Sequence, residues 1–113
     1  MRIVNLTPHA INLMPEGETR IATIPPSGRV ARCSVVRRQV DIFAVGGLAV
    51  PVNKTLFGTV EGLPDPQVDT IYIVSNLVAQ AVPNRPDVFI VDDVVRDPEG
   101  RIVGARALAH VGG

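Results

Sequence analysis

Proline and glycine cut this chain repeatedly, and the apolar runs between the cuts are rich in β-branched side chains. No other feature limits the fold as much. Val supplies 19 residues and Ile 9, against four aromatics and no Trp. Side chains branched at Cβ suit the pleated surface of a strand, and the frequent breakers leave no room for long helices. At 113 residues the chain is expected to form one domain, 1–113. With 46% hydrophobic and 19% charged residues it has enough apolar surface to build a core, which excludes intrinsic disorder.

The pattern reads as a series of short strands. Ile3 to Leu6, Ala10 to Met14 and Thr19 to Ile24 come first, ended by Thr7-Pro8, Pro15-Glu16-Gly17 and Pro25-Pro26-Ser27-Gly28. Arg29 to Arg37 follows, with neither alternate face cleanly apolar. Asp41 to Val45 and Leu48 to Val52 flank Gly46-Gly47, which predicts a tight hairpin. Pro51 cannot donate a hydrogen bond and places one side of the second arm at an edge. Thr55 to Val60 is a further strand. The apolar run Thr70 to Val74 suits a central strand buried on both faces. Ser75 then caps a short helix, Asn76 to Val82, stopped by Pro83 to Pro86. Asp87 to Val91 and Arg101 to His110 complete the strands. The segment between Thr70–Val74 and Asp87–Val91 is long enough for a parallel crossover, and an antiparallel return fits it equally. The fold class is α+β: a β-dominated, mostly antiparallel, curved sheet or small barrel with one short helix.

Composition also restricts function. Eleven basic and eleven acidic residues leave no net charge, which argues against general nucleic-acid binding. No apolar run is long enough to cross a bilayer as a helix, and the N-terminal apolar run is too short for a leader. Cys33 has no second cysteine to pair with, and His9 and His110 lie at opposite ends of the chain. Neither a disulfide nor a metal or other cofactor is expected, and the cytoplasm is the expected compartment.

No catalytic set stands out. Ser75 lacks the glycines of a nucleophile elbow and reads as a helix cap. Asp92-Asp93 reads as a turn, with a base or metal ligand as the alternative. Thr7 and His9, on either side of Pro8, either satisfy turn backbone groups or form the edge of a site. Ten of the eleven cations are Arg, the residue that forks onto phosphates and stacks on bases. Arg37, Arg38, Arg85, Arg96 and Arg106 are the candidate phosphate ligands. Thr7, His9, Ser75, Asn76 and Gln80 are candidates for ribose or base hydrogen bonds. Phe43, Phe57, Tyr72 and Phe89 are candidates for stacking, with Tyr72 and Phe89 expected in the core.

The opening Asn5-Leu6-Thr7-Pro8-His9-Ala10-Ile11 resembles the start of a family of short phage and prophage proteins of unassigned function. The segment from Ile71 to Ala81 resembles it too, with Arg85, Asp87-Val88 and the stretch Asp93 to Asp97 after it. Small β-rich phage proteins of this kind include anti-defence sponges. These are oligomers that hide cyclic nucleotides or cyclic ADP-ribose derivatives from host immune effectors. The resemblance thus implies a homo-oligomer in the host cytoplasm that binds a nucleotide-like signal without cleaving it. A phage structural or assembly protein is the alternative, as is a small hydrolase of the same signals using His9, Asp92 and Asp93.

Overall fold

The computed structural model describes residues 1–111. It contains eight strands and one helix: β1 (Arg2–Asn5), β2 (Ile11–Leu13), β3 (Ala22–Ile24), β4 (Arg32–Val45), β5 (Leu48–Glu61), β6 (Thr70–Ile73), α1 (Asn76–Ala81), β7 (Val88–Arg96) and β8 (Ile102–Ala109). Six strands form one curved sheet in the order β1-β6-β7-β8-β2-β3, and β4 and β5 form a separate two-stranded sheet. The fold is β-dominated with one short helix, as the breaker spacing requires, and most paired residues lie in antiparallel ladders.

The six-stranded sheet is mixed. β1 with β6, β6 with β7, and β2 with β8 run parallel. The helix decides the middle pairing: β6, α1 and β7 form a short crossover, so the chain returns in the same direction. Ser75 begins it with an N-cap, its Oγ accepting from the Val78 N–H at 3.3 Å. β6 is buried on both faces, as its unbroken apolar run implies. Tyr72 and Val74 join Leu6, Val78, Ala79 and Val88 in the core beneath the helix, and Ile73, fully buried, turns to the other side.

The two ends of the sheet meet at one side chain. Asn5 ends β1, and its Nδ2 donates to the carbonyl of Ile24 at the end of β3 (3.2 Å) and to that of His9 (2.8 Å). Its Oδ1 accepts from the Thr7 N–H (2.9 Å) and hydroxyl (2.7 Å). Asn5 is only 1% exposed, so this amide nearly closes the curved sheet from inside. The Asn5-to-Ile11 segment is thus first of all an architectural turn.

Two expectations from sequence are corrected. The runs 29–37 and 41–45 are one strand, β4, and 48–52 and 55–60 are one strand, β5. Register shifts between Cys33 and Val35 and between Gln39 and Asp41 carry the ladder through the places where alternation fails. The result is an arm fourteen residues long on each side. Gly46 and Gly47 close it at φ of 57° and 80°, as a two-residue hairpin turn requires. The arm draws the molecule out to 54 × 39 × 26 Å, with a radius of gyration of 17.5 Å. A compact chain of this length has about 13 Å. Asp92-Asp93, expected as a turn, lies inside β7, where Asp93 takes a left-handed φ of 53° while pairing with β8 continues on both sides. β8 holds this irregular segment in extended pairing, which local turn propensity does not reveal.

Candidate functional site

The concave side of the curved sheet holds a cleft of about 540 Å³. Ile11, Ile73, Ile90 and Val103 supply apolar wall, with Gly104 and the small Ala105 of β8 beside them. Four sequence candidates line it: Thr7 and His9 from the β1–β2 turn, and Ser75 and Asn76 from the start of α1. The parallel β1–β6 pairing brings these two segments together, because both strands end at the same edge of the sheet. Leu6 N–H donates to the Ile73 carbonyl (2.8 Å), fixing one turn beside the other.

Much of this polar rim is engaged within the fold. Thr7 Oγ1 donates to Asn5 and lies 3.1 Å from the His9 carbonyl, and Ser75 Oγ caps the helix. Asn12, at the β2 wall, donates to Val103 O (3.2 Å) and accepts from Thr23 (2.8 Å). Asn76 accepts from Gln80 Nε2 (3.1 Å), which draws Gln80 along the helix and leaves it outside the lining of the cleft. The His9 ring is exposed at the rim.

The arginines are not brought together. Arg85 forks onto Asp87, Nε to Oδ1 and Nη2 to Oδ2, both at 2.8 Å, and also reaches the Pro64 carbonyl at 2.9 Å. That hydrogen-bonded pairing holds the Asp87 carboxyl below its ordinary range, against the opposing effect of burial, and raises Arg85 further. Arg85 thus fastens the β7 entry to the loop after β5. Arg96 binds the Gly100 carbonyl across the β7–β8 turn (2.8 Å). Arg106 faces Asp93 at 3.7 Å and the Pro15 carbonyl at 3.3 Å. Arg37 and Arg38 stand exposed on the arm, and neither forms an ion pair within the chain among the described residues.

Of the aromatic candidates, Tyr72 is buried in the core as expected, whereas Phe89 is only half-buried, its ring tilted against that of His110 with centroids 4.2 Å apart. Phe43 and Phe57 are exposed on the arm. Neither Asp92 nor Asp93 lines the cleft beside His9, and among the described residues no group of three His, Cys, Asp or Glu side chains could hold a metal ion.

The sequence reading passed over Arg2 and Arg29. They line a second cleft of about 320 Å³ with Ser27, Gln67 and Tyr72, and neither has an ion-pair partner within the chain among the described residues. Position alone assembles this group: the Ser27 N–H donates to Asn5 O (3.0 Å), bringing the 27–31 segment against β1. The two arginines are 27 positions apart, with no local pattern linking them. No family model, curated protein or solved structure matches the chain.

Proposed function

We propose that this chain is a phage-encoded, non-enzymatic binding protein that sequesters a nucleotide-derived signal, with the concave cleft holding the base and sugar. The observation that carries this reading is the convergence of Thr7, His9, Ser75 and Asn76 on one cleft of about 540 Å³. That volume lies within the ~300–1,000 Å³ of small-ligand sites, and a mainly apolar wall with a polar rim is their usual composition. No cation lines the cleft among the described residues, so phosphates would face outward past the His9 rim. Host cytoplasm, where such signals act, is the compartment this reading requires.

The purified chain, incubated with a panel of cyclic dinucleotides and cyclic ADP-ribose derivatives, should deplete one of them from solution. Heat denaturation should then return it intact. Recovery of an altered compound would instead identify a hydrolase, and no depletion anywhere in the panel would sink both. Ala10→Trp, which plugs the cleft from an exposed wall position, should abolish depletion while leaving the circular dichroism spectrum unchanged.

A second reading, a structural or assembly protein, is favoured by the long arm with its exposed apolar side chains.

A further inference from the structure

The β4–β5 arm is the least satisfied part of the molecule. No third strand pairs with it among the described residues, and a lone two-stranded ribbon is marginally stable at best in water. It nonetheless exposes nine large apolar residues, among them Val36 (58%), Phe43 (55%) and Leu48 (69%). At ~150–200 Å² per whole side chain these offer roughly 800 Å² over the two faces of the ribbon. Val36, Phe43, Val45, Leu48 and Val50, which share one face, supply about 500 Å² of it, comparable to the largest patch of an ordinary monomer and more than half of one partner's share of a standard interface.

Residues opposite one another in an antiparallel ladder share a face, so the register sorts the arm into rows. On one face Val36 and Leu56 lie nearest the base, followed by Arg38 and Lys54. Asp41 and Val52 come next, then Phe43 and Val50, with Val45 and Leu48 at the tip. The extra residue Val40 sits between Gln39 and Asp41, and it lets Arg38 and Asp41, three positions apart, face the same way. Arg38 and Lys54 are like charges set directly across from each other, an arrangement that repels unless an anion joins them. The Asp41 carboxylate bonds to the N–H of Ile42 at 2.8 Å. None of the three charges forms an ion pair within the chain among the described residues.

We propose that this face is the interface between two copies of this chain, their arms antiparallel about a two-fold axis between the Arg38 row and the Asp41 row. Each cationic row then lies on the Asp41 row of the second copy, and each Phe43–Val50 row lies on the Val36–Leu56 row of the second copy. A parallel alignment sets cations on cations. Over the four rows from Val36–Leu56 to Phe43–Val50 the order apolar, cationic, anionic, apolar matches itself when reversed, which a self-complementary interface requires, and the Val45–Leu48 row at each tip extends past them toward the base of the second arm. The interface does not depend on the cleft reading. A chain that dimerises but binds no nucleotide keeps it, and a chain that binds nucleotide as a monomer overturns it alone.

Sedimentation velocity of the full chain should show a dimer, or an even-numbered oligomer built on it. Arg38→Glu sets an acid against the Asp41 of the second copy, with Lys54 alone left to oppose it, and Asp41→Arg sets basic rows together. Each should weaken self-association by about ten- to hundred-fold. An equimolar mixture of the two variants should dimerise again. In the mixed pair the introduced glutamate faces the introduced arginine, and the Asp41 kept by one chain faces the Arg38 kept by the other. Phe43→Ser changes no charge and should also weaken the dimer, with an unchanged dichroism spectrum. A monomeric wild-type chain overturns the proposal. Dimers indifferent to both charge reversals, or a mixture that stays monomeric, overturn it equally.

Discussion

Replacing Asn5 with Ala should destabilise the fold out of proportion to the size of the change. The side chain is 1% exposed and makes four hydrogen bonds, to His9 O, Ile24 O, Thr7 N and Thr7 Oγ1. A satisfied hydrogen bond contributes a net ~1 kcal/mol, and an orphaned buried group costs about 1–3 kcal/mol. His9 is exposed and the Thr7 hydroxyl can rotate, so water and local adjustment relieve part of the loss. The Ile24 carbonyl and the Thr7 N–H are less accessible. The expected cost is about 2–4 kcal/mol, a large part of the ~5–15 kcal/mol that holds an ordinary domain. At about 4 °C per kcal/mol for a chain near this size, the melting temperature should fall by roughly 8–16 °C. Differential scanning calorimetry at neutral pH measures it directly.

Asn5→Asp tests the cause. It keeps the shape and the acceptor for Thr7, removes the two donated bonds, and buries a charge. Burial raises the folded pKa of that carboxyl above its unfolded value of ~3.9, so stability is present at low pH and lost as pH rises through the folded pKa. Asn5→Asp should therefore be the worse variant at pH 7 and recover in mild acid. A melting point within about 3 °C of wild type for Asn5→Ala would refute the view that this amide closes the sheet.

Gly104→Ala should cost about 1–3 kcal/mol, read as a lower urea midpoint. The added Cβ would stand 2.5 Å from Met14 Cε, which can move aside, and 2.8 Å from the Asn12 carbonyl, which is fixed in β2. The Arg85–Asp87 pair should contribute about 1–3 kcal/mol at neutral pH, both side chains being mostly buried. Because the folded Asp87 pKa is lowered by its hydrogen bonds to Arg85, that stability is present above the unfolded value of ~3.9 and is lost as pH falls through the folded one. Melting curves from neutral pH into acid should show this loss in wild type and a smaller one in Asp87→Asn.

Local chemistry carried much of the architecture. The frequent breakers and the Val and Ile excess specify strands, because they need nothing beyond neighbouring residues to act, although Pro51 and Gly58 do not end β5. Ser75 before an apolar helical stretch, and Gly46-Gly47 between two strand patterns, are local signals of the same kind, and both elements are present. The arm was legible only in pieces. Its alternation breaks at the register shifts, and beyond the base, where Cys33 and Val60 reach the core, neither face is covered, so the pattern does not mark Arg32–Val45 as one strand.

For the site, residue type named candidates and the fold chose among them. Thr7 and His9 meet Ser75 and Asn76 because β1 and β6 are parallel neighbours, a pairing between segments some 70 residues apart. Arg85, Arg96 and Arg106 looked alike in sequence, yet each fastens a loop or strand end, since a guanidinium suits a backbone carbonyl or a carboxylate as well as a phosphate. Arg2 and Arg29 share a cleft for reasons no short window contains. The sequence alone determined that the chain makes a β-rich domain with one capped helix, because propensity, capping and turn chemistry act over a few residues. Which side chains share a surface was decided only by the tertiary structure, because strand order and direction depend on the burial of the whole sheet.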